Sequence, residues 1–332
     1  MGGSGRASAR GARLLAVFCA AWAPLVAMAC RGGSDSRSRP FPSWEERVLH
    51  AWTNRARADP GAELADCREC GERACYSPAP PLEWSLPLNR AARFHADEMQ
   101  RQDFFFHDSR CRIGADIDAL YPHACDGSES CACQGRGPMR WSERLELFRV
   151  ARPSGEVQAE HRDDPDSTFY YLLHEPASSR ACASGAENGH RWNLLKQMGT
   201  VGFGVNATHT VGDFSRSRGR GHPVPSGAHY PRQAETVEFW ASWYAPAGPS
   251  AALVNVDGAC TALKLTRGGP ANGAWSASLS GLGGGCRRYL FLFRDASGVE
   301  VTHPETGSFG LGPEATCPDW DESRPANGPT CS

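Results

Sequence analysis

The sequence predicts a disulfide-rich α/β protein in which helices pack on an antiparallel sheet, followed by a small β-rich domain. Three features point to it. Apolar residues recur at helical spacing through the first part of the chain and switch to short strand-like runs from about residue 200. Past Pro246-Ala247-Gly248-Pro249-Ser250 the apolar runs are short and separated by Gly, Asn and Asp turns, the pattern of a small β domain. Fourteen cysteines are present, twelve of them in the body of the chain, an even number suited to a disulfide framework.

The compartment follows from the N-terminus. Arg6, Arg10 and Arg13 precede an apolar run over residues 14–29 that is too short and interrupted for a membrane span, so residues 1–29 are expected to be an export signal. Two release modes fit. Ala27-Met28-Ala29 is an A-x-A cleavage site, while Val26-Ala27-Met28-Ala29-Cys30 resembles a bacterial lipobox that would lipidate Cys30; the lipoprotein is the favoured reading. Residues 30–42 then serve as a flexible linker, and the protein is expected in the cell envelope or secreted, touching a membrane only through that anchor. The twelve cysteines expected to pair, in an order the sequence leaves open, are Cys67, Cys70, Cys75, Cys111, Cys125, Cys131, Cys133, Cys182, Cys260, Cys286, Cys317 and Cys331. A zinc site from Cys67-x-x-Cys70 with Cys131-x-Cys133 is the weaker rival, because an oxidising compartment disfavours thiolate ligands.

Thirty-five basic and 37 acidic residues give a net charge of -2, which excludes a nucleic-acid footprint. The local run Arg216, Arg218 and Arg220 among Ser and Gly reads as a solvated loop.

The main domain is expected over residues 43–246. Ser43-Trp44-Glu45-Glu46 is a capping box that starts the first helix; Val48, Leu49 and Trp52 form its apolar stripe, and Asp59-Pro60 stops it. A cysteine-bearing loop ends in Pro78-Ala79-Pro80-Pro81. Residues 86–102 place Leu88, Ala91, Ala92, His95 and Met99 on one helical side, where His95 reads as a packed core histidine. Residues 110–140 have no sustained period and read as a loop pinned by disulfides. Short helices are expected over 141–148 and 167–174, the second stopped by Pro176, and another from about Glu187. Strands are expected at 200–206, 209–214 and 235–244. In the β-rich domain, residues 251–317, the strand-like runs are 252–256, 275–279 and 289–293; the tail, 318–332, is expected to be ordered only where Cys331 ties it down. Asn206-Ala207-Thr208 reads as a turn.

Glu187-Asn188-Gly189-His190-Arg191-Trp192-Asn193-Leu194-Leu195 is the richest candidate for chemistry, with Glu187 and His190 three residues apart on one helical face. It does not stand alone. Asn54-Arg55, then Pro81-Leu82-Glu83-Trp84, then the run from Ala91 to Met99 before Phe106-His107, then Gly189 to Leu195 and Val201-Gly202-Phe203-Gly204-Val205 occur in this order. Over residues 43–245 the series resembles the CAP superfamily (cysteine-rich secretory proteins, antigen 5 and pathogenesis-related 1 proteins) in its bacterial SCP-like form. The resemblance implies an α-β-α sandwich with a cleft lined by two histidines and acidic residues. His107 and His190 match the two histidines. Glu156 in Ser154-Gly155-Glu156-Val157 is the best match to the family's G-E-N glutamate, although Val157 stands where the family has asparagine. The second acidic position is Glu187, Glu175 or neither.

Two imidazoles and one or two carboxylates in a cleft suit a divalent metal such as zinc, with His107 and His190 as its candidate ligands; without metal, a histidine–carboxylate pair can shuttle protons. The chain has no evident nucleophile, and His174-Glu175-Pro176 is not an H-E-x-x-H signature. The leading expectation is an exported protein that binds a small or lipid-like ligand, or a partner, at the His/Glu cleft. Alternatives are a peptidase-like hydrolase using the same cleft, and an envelope adhesion protein with this domain as scaffold.

Overall fold

A computed structural model describes residues 41–128, 133–160, 164–178, 180–197, 199–328 and 331, all within one compact unit. The expected signal segment, Cys30 and Cys131 lie outside these residues. Helix α1 (Trp44–Ala58) begins with the expected capping box: the Ser43 hydroxyl accepts from the Glu46 backbone and the Glu46 carboxylate accepts from Ser43 N. Asp59 closes it and caps the short α2 (Pro60–Glu63). Strand β1 (Glu83–Trp84) leads into α3 (Leu86–Gln102); β2 (Arg112–Ile113), α4 (Ile117–Leu120), β3 (Cys133–Gly135) and α5 (Trp141–Leu147) follow. Next come β4 (Pro153–Glu160), α6 (Pro165–Leu173) and α7 (Gly189–Lys196), then β5 (Thr200–Val205), β6 (His209–Ser215), β7 (Gly227–Tyr230) and β8 (Thr236–Tyr244).

The first sheet has the order β1-β5-β6-β4, with β1 parallel to β5 and the other pairs antiparallel. Side chains on opposite faces of this sheet have different partners. Val157, Ala159, Val201, Phe203 and Phe214 join the core formed with Trp52, Phe169 and Leu194, from α1, α6 and α7. On the other face lies α3, with Ala92, Ala96 and Met99 against Val211. Gly202 and Gly204 are what allow α3 so close: a Cβ at either would collide with backbone nitrogen of Asn89 or Arg93. The disulfide-rich α/β class is therefore as expected.

Strand β4 was not among the expected elements. Gly155, Val157 and Ala159 alternate with Glu156, Gln158 and Glu160, so a strand reading puts carboxylates on one face of a sheet; the pattern looks solvent-facing, yet Glu156 and Gln158 are buried on the α3 side.

The C-terminal strands are β9 (Ala251–Val256), β10 (Ala259–Ala262), β11 (Lys264–Gly269), β12 (Asn272–Ser280), β13 (Arg287–Arg294), β14 (Glu300–His303), β15 (Ser308–Leu311) and β16 (Trp320–Asp321). One sheet runs β10-β9-β13-β15-β16, with β14 on β13; the other runs β11-β12-β8-β7. Strand β8 of the expected main domain pairs with β12 of the expected β-rich domain from Thr236↔Ser280 to Tyr244↔Asn272. The boundary near residue 246 falls in the turn between β8 of one sheet and β9 of the other. The tail also differs from the expectation: β16 extends the sheet, and buried Asp319 accepts hydrogen bonds from Trp44 N and Arg232.

Among the described residues the disulfides are Cys67–Cys70, Cys75–Cys182, Cys111–Cys133, Cys260–Cys331 and Cys286–Cys317, and Cys125 is also disulfide-bonded. Cys67, Cys70 and Cys133 are thus unavailable as zinc thiolates. This framework suits an oxidising compartment. No described helix is long and apolar enough to cross a membrane.

Candidate functional site

Helix α3 ends at Gln102, with Asp103 in the left-handed conformation, and the chain turns back so that His107 reaches the edge strand β4. His107 Nδ1 lies 2.8 Å from Glu156 Oε1. The Glu156 side chain is buried, while 43% of the His107 side chain is exposed. With Nδ1–H donated to the carboxylate, His107 Nε2 is left as an acceptor toward solvent, the arrangement that holds an imidazole in one tautomer for binding or proton transfer.

Arg144 of α5 holds the other side of Glu156. Its fully buried guanidinium donates to Glu156 Oε2, to the His107 carbonyl at 3.0 Å and to Ser109 Oγ at 3.0 Å. Burial pushes the Glu156 carboxyl up, but the Arg144 charge and the His107 hydrogen bond outweigh it and hold Glu156 below the ordinary carboxylate range. Ser109 Oγ also donates to Glu98 Oε2, which His95 Nδ1 meets at 3.0 Å, and His95 Nε2 faces the Phe106 carbonyl at 2.9 Å. His95 is thus a buried histidine with both nitrogens engaged, and it fixes the turn that presents His107.

Directly opposite Glu156 across the β4–β6 ladder stands Asp213, fully buried. Neither of its carboxylate oxygens accepts a hydrogen bond from a described residue. Burial and then the neighbouring Glu156 charge push the Asp213 carboxyl well above its ordinary range, against the pull of Arg144. Both effects favour the neutral acid. Arg144, Ser109 and Asp213 were not candidates from the sequence. A polar residue alternating with Gly212 and Phe214 in a strand was the available signal, but it cannot tell a buried acid from a solvated one.

His190 occupies the first turn of α7, and its Nδ1 lies 2.9 Å from Glu175 Oε2. Glu175 Oε1 also accepts from Arg191 N at 2.9 Å, while the buried Arg191 guanidinium donates to the Leu173 and Glu175 carbonyls and to Glu72 at 2.6 Å. Arg191 therefore fastens Glu175 to the start of α7. Glu187 does not join His190: α7 begins only at Gly189, and the Glu187 carboxylate accepts from Ser178 N and Oγ at 3.0 Å. Of the two named acidic alternatives, Glu175 is the one in contact. Asn193, one turn along α7 from His190, donates to the Glu156 carbonyl at 3.0 Å, so α7 is bonded to the strand that carries the first pair.

The structure thus holds two histidine–carboxylate pairs, His107–Glu156 and His190–Glu175. Among the described residues no three His, Cys, Asp or Glu side chains are grouped so as to hold a metal ion. Both carboxylates already accept hydrogen bonds, Glu156 from Arg144 and Glu175 from Arg191 N. No protein-family model matches the sequence, and no curated protein matches it.

Proposed function

We propose that the protein is an exported CAP-type protein that binds a small ligand through the two imidazoles, His107 and His190, each held in one tautomer by its carboxylate. The observation that carries this reading is the matched pair of contacts, 2.8 Å for His107–Glu156 and 2.9 Å for His190–Glu175, each leaving Nε2 unclaimed by its carboxylate. The order of motifs from Asn54 to Val205 supports the family, as do α3 lying against Gly202 and Gly204 on one sheet face and α1, α6 and α7 on the other. The ligand class that fits is one offering hydrogen-bond donors to two imidazole nitrogens, with a lipid-like body accommodated by the exposed Phe106 beside His107.

A second reading, general-base hydrolysis, is favoured by one observation: the His107–Glu156–Arg144 chain orients an imidazole as a proton acceptor would require. A single experiment separates them. Ring-proton NMR of His107 and His190 during a screen of small ligands, alongside a peptide and ester turnover panel, is expected to show one ligand class shifting both rings in the wild type, with binding lost in His107→Ala and in His190→Ala. Turnover that both substitutions abolish favours the hydrolase instead. If no ligand moves either ring and no turnover is seen, both readings fail.

A further inference from the structure

A large cavity lies away from both histidine–carboxylate pairs. It has a volume of about 560 Å³ and is bounded by the start of α1, by β1, by the basic loop before β7 and by the turn between β14 and β15. We propose that it is a second binding site, for a small aromatic acid. Its size falls within the roughly 300–1,000 Å³ of small-molecule sites.

The cavity exists only because the C-terminal strands are joined to the rest of the fold. Phe41 and Trp84 come from the N-terminal half, Phe309 from β15, and Leu86, Val224 and Pro304 complete the apolar wall. Three rings from distant parts of the chain line it, one face of Phe41 stacked on Trp320 and one of Phe309 under Arg47, and such an aromatic lining suits a fused-ring body better than a compact polar solute. Three imidazoles, of His50, His222 and His303, also line it. Burial lowers His50 to about 4, despite its contact with the Leu82 carbonyl, and drives His303 well below its ordinary range, so these two are neutral hydrogen-bonding groups at neutral pH.

The charge at the rim selects an acid. Arg218 and Arg220 line the cavity, are exposed, and have no ion-pair or hydrogen-bond partner among the described residues. Their loop is not a free solvated run. Gly221, at φ +76°, donates its N–H to Glu83 Oε1 at 2.9 Å, and a Cβ at Gly219 would collide with the Glu83 carboxyl. The loop is therefore fastened to β1, and this use of Glu83 engages one of the two carboxylates at the cavity. The other, Glu305, is exposed and lies 3.9 Å from His222. Deeper in, the Arg47 guanidinium packs on the Phe309 ring at 4.5 Å, with Asp319 at 3.8 Å. Two uncompensated cations at the mouth and an aromatic floor match an anionic head on an aromatic body.

Isothermal titration calorimetry with 1-naphthyl phosphate and 1-naphthylacetate tests this, with 1-naphthylmethylammonium and inorganic phosphate as contrasts. Both aromatic acids are expected to bind with 1:1 stoichiometry, the ammonium not to bind, and inorganic phosphate to bind at least about tenfold more weakly. Because Arg218 and Arg220 are exposed, the double variant Arg218→Gln/Arg220→Gln keeps the fold, and it is expected to weaken both acids by at least about tenfold. Leu86→Trp, which fills the cavity, abolishes binding; Arg149→Gln, an exposed charge elsewhere, changes nothing. The proposal is overturned if neither acid binds at millimolar concentration, if the ammonium binds equally well, if Arg149→Gln weakens binding as much as the loop variant, or if Leu86→Trp leaves binding intact.

Discussion

Glu156 and Asp213 face each other across the β4–β6 ladder as buried carboxyls, one paired with Arg144 and His107, the other without a donor. Two like groups this close cannot both ionise cheaply, and the asymmetry of their partners decides which keeps the proton. Glu156 is the anion and Asp213 the acid. Their effects on stability consequently run in opposite directions with pH.

For Asp213 the folded state holds the proton more tightly than the unfolded chain does. Its contribution is fully present below the ordinary aspartate value of about 3.9 and is lost as pH rises toward the raised folded value. Asp213→Asn keeps the size of the side chain and cannot ionise, so it escapes this loss. Urea denaturation should show the variant close to wild type at pH 4 and more stable by about 1–2 kcal/mol at pH 7. A variant equally or less stable at pH 7 contradicts the neutral acid.

Glu156 shows the converse sign, since its folded value is depressed. Its stabilisation is present above the ordinary glutamate value of about 4.3 and disappears as pH falls through the depressed one. Glu156→Gln should therefore flatten the acid limb of the stability curve below about pH 4.5, measured by thermal melts across pH 2–6.

Removing Arg144 strands a buried anion. Arg144→Met is expected to cost about 3–5 kcal/mol, and the double variant Arg144→Met/Glu156→Gln less than either change summed. Additive losses in the double-mutant cycle would mean that the two side chains do not interact as the structure has them.

Gly202 and Gly204 test the packing that places the site. A methyl at either position meets α3 backbone that has no rotamer to yield. Gly204→Ala should lower stability by about 3 kcal/mol or prevent folding, whereas Gly137→Ala, at a glycine with open space but positive φ, should cost only about 1 kcal/mol.

The tail offers a prediction independent of the site. Cys260–Cys331 closes a loop across a sequence separation of 71. Cys260→Ser/Cys331→Ser should destabilise the protein by about 2–4 kcal/mol in calorimetric melts.

The elements that could be read from the chain were those whose pattern is local. The Ser43–Glu46 box, the stripe from Leu88 to Met99 and the apolar runs of β5, β8, β9 and β13 each carry their own period, so neighbouring residues suffice to define them. His107 and His190 were nominated through the order of motifs around them. Strand β4 was hidden because its polar face is turned inward, against the rule that polar means exposed. Glu187 was misleading for a related reason: spacing of three implies contact only inside a helix, and the helix starts two residues later at Gly189.

The sequence by itself thus determined the disulfide-rich α/β class, the helices and strands with a local apolar period, and a cysteine content suited to disulfides, because each is encoded in local spacing or in composition. Only the tertiary structure decided which carboxylate serves each histidine, that Asp213 lies beside Glu156, which cysteines join, and that β8 and β12 merge two expected domains into one set of sheets. Glu156 and Asp213 are 57 positions apart in the chain. Their meeting is set by strand register and by how closely α3 can approach, and neither is written in any one segment.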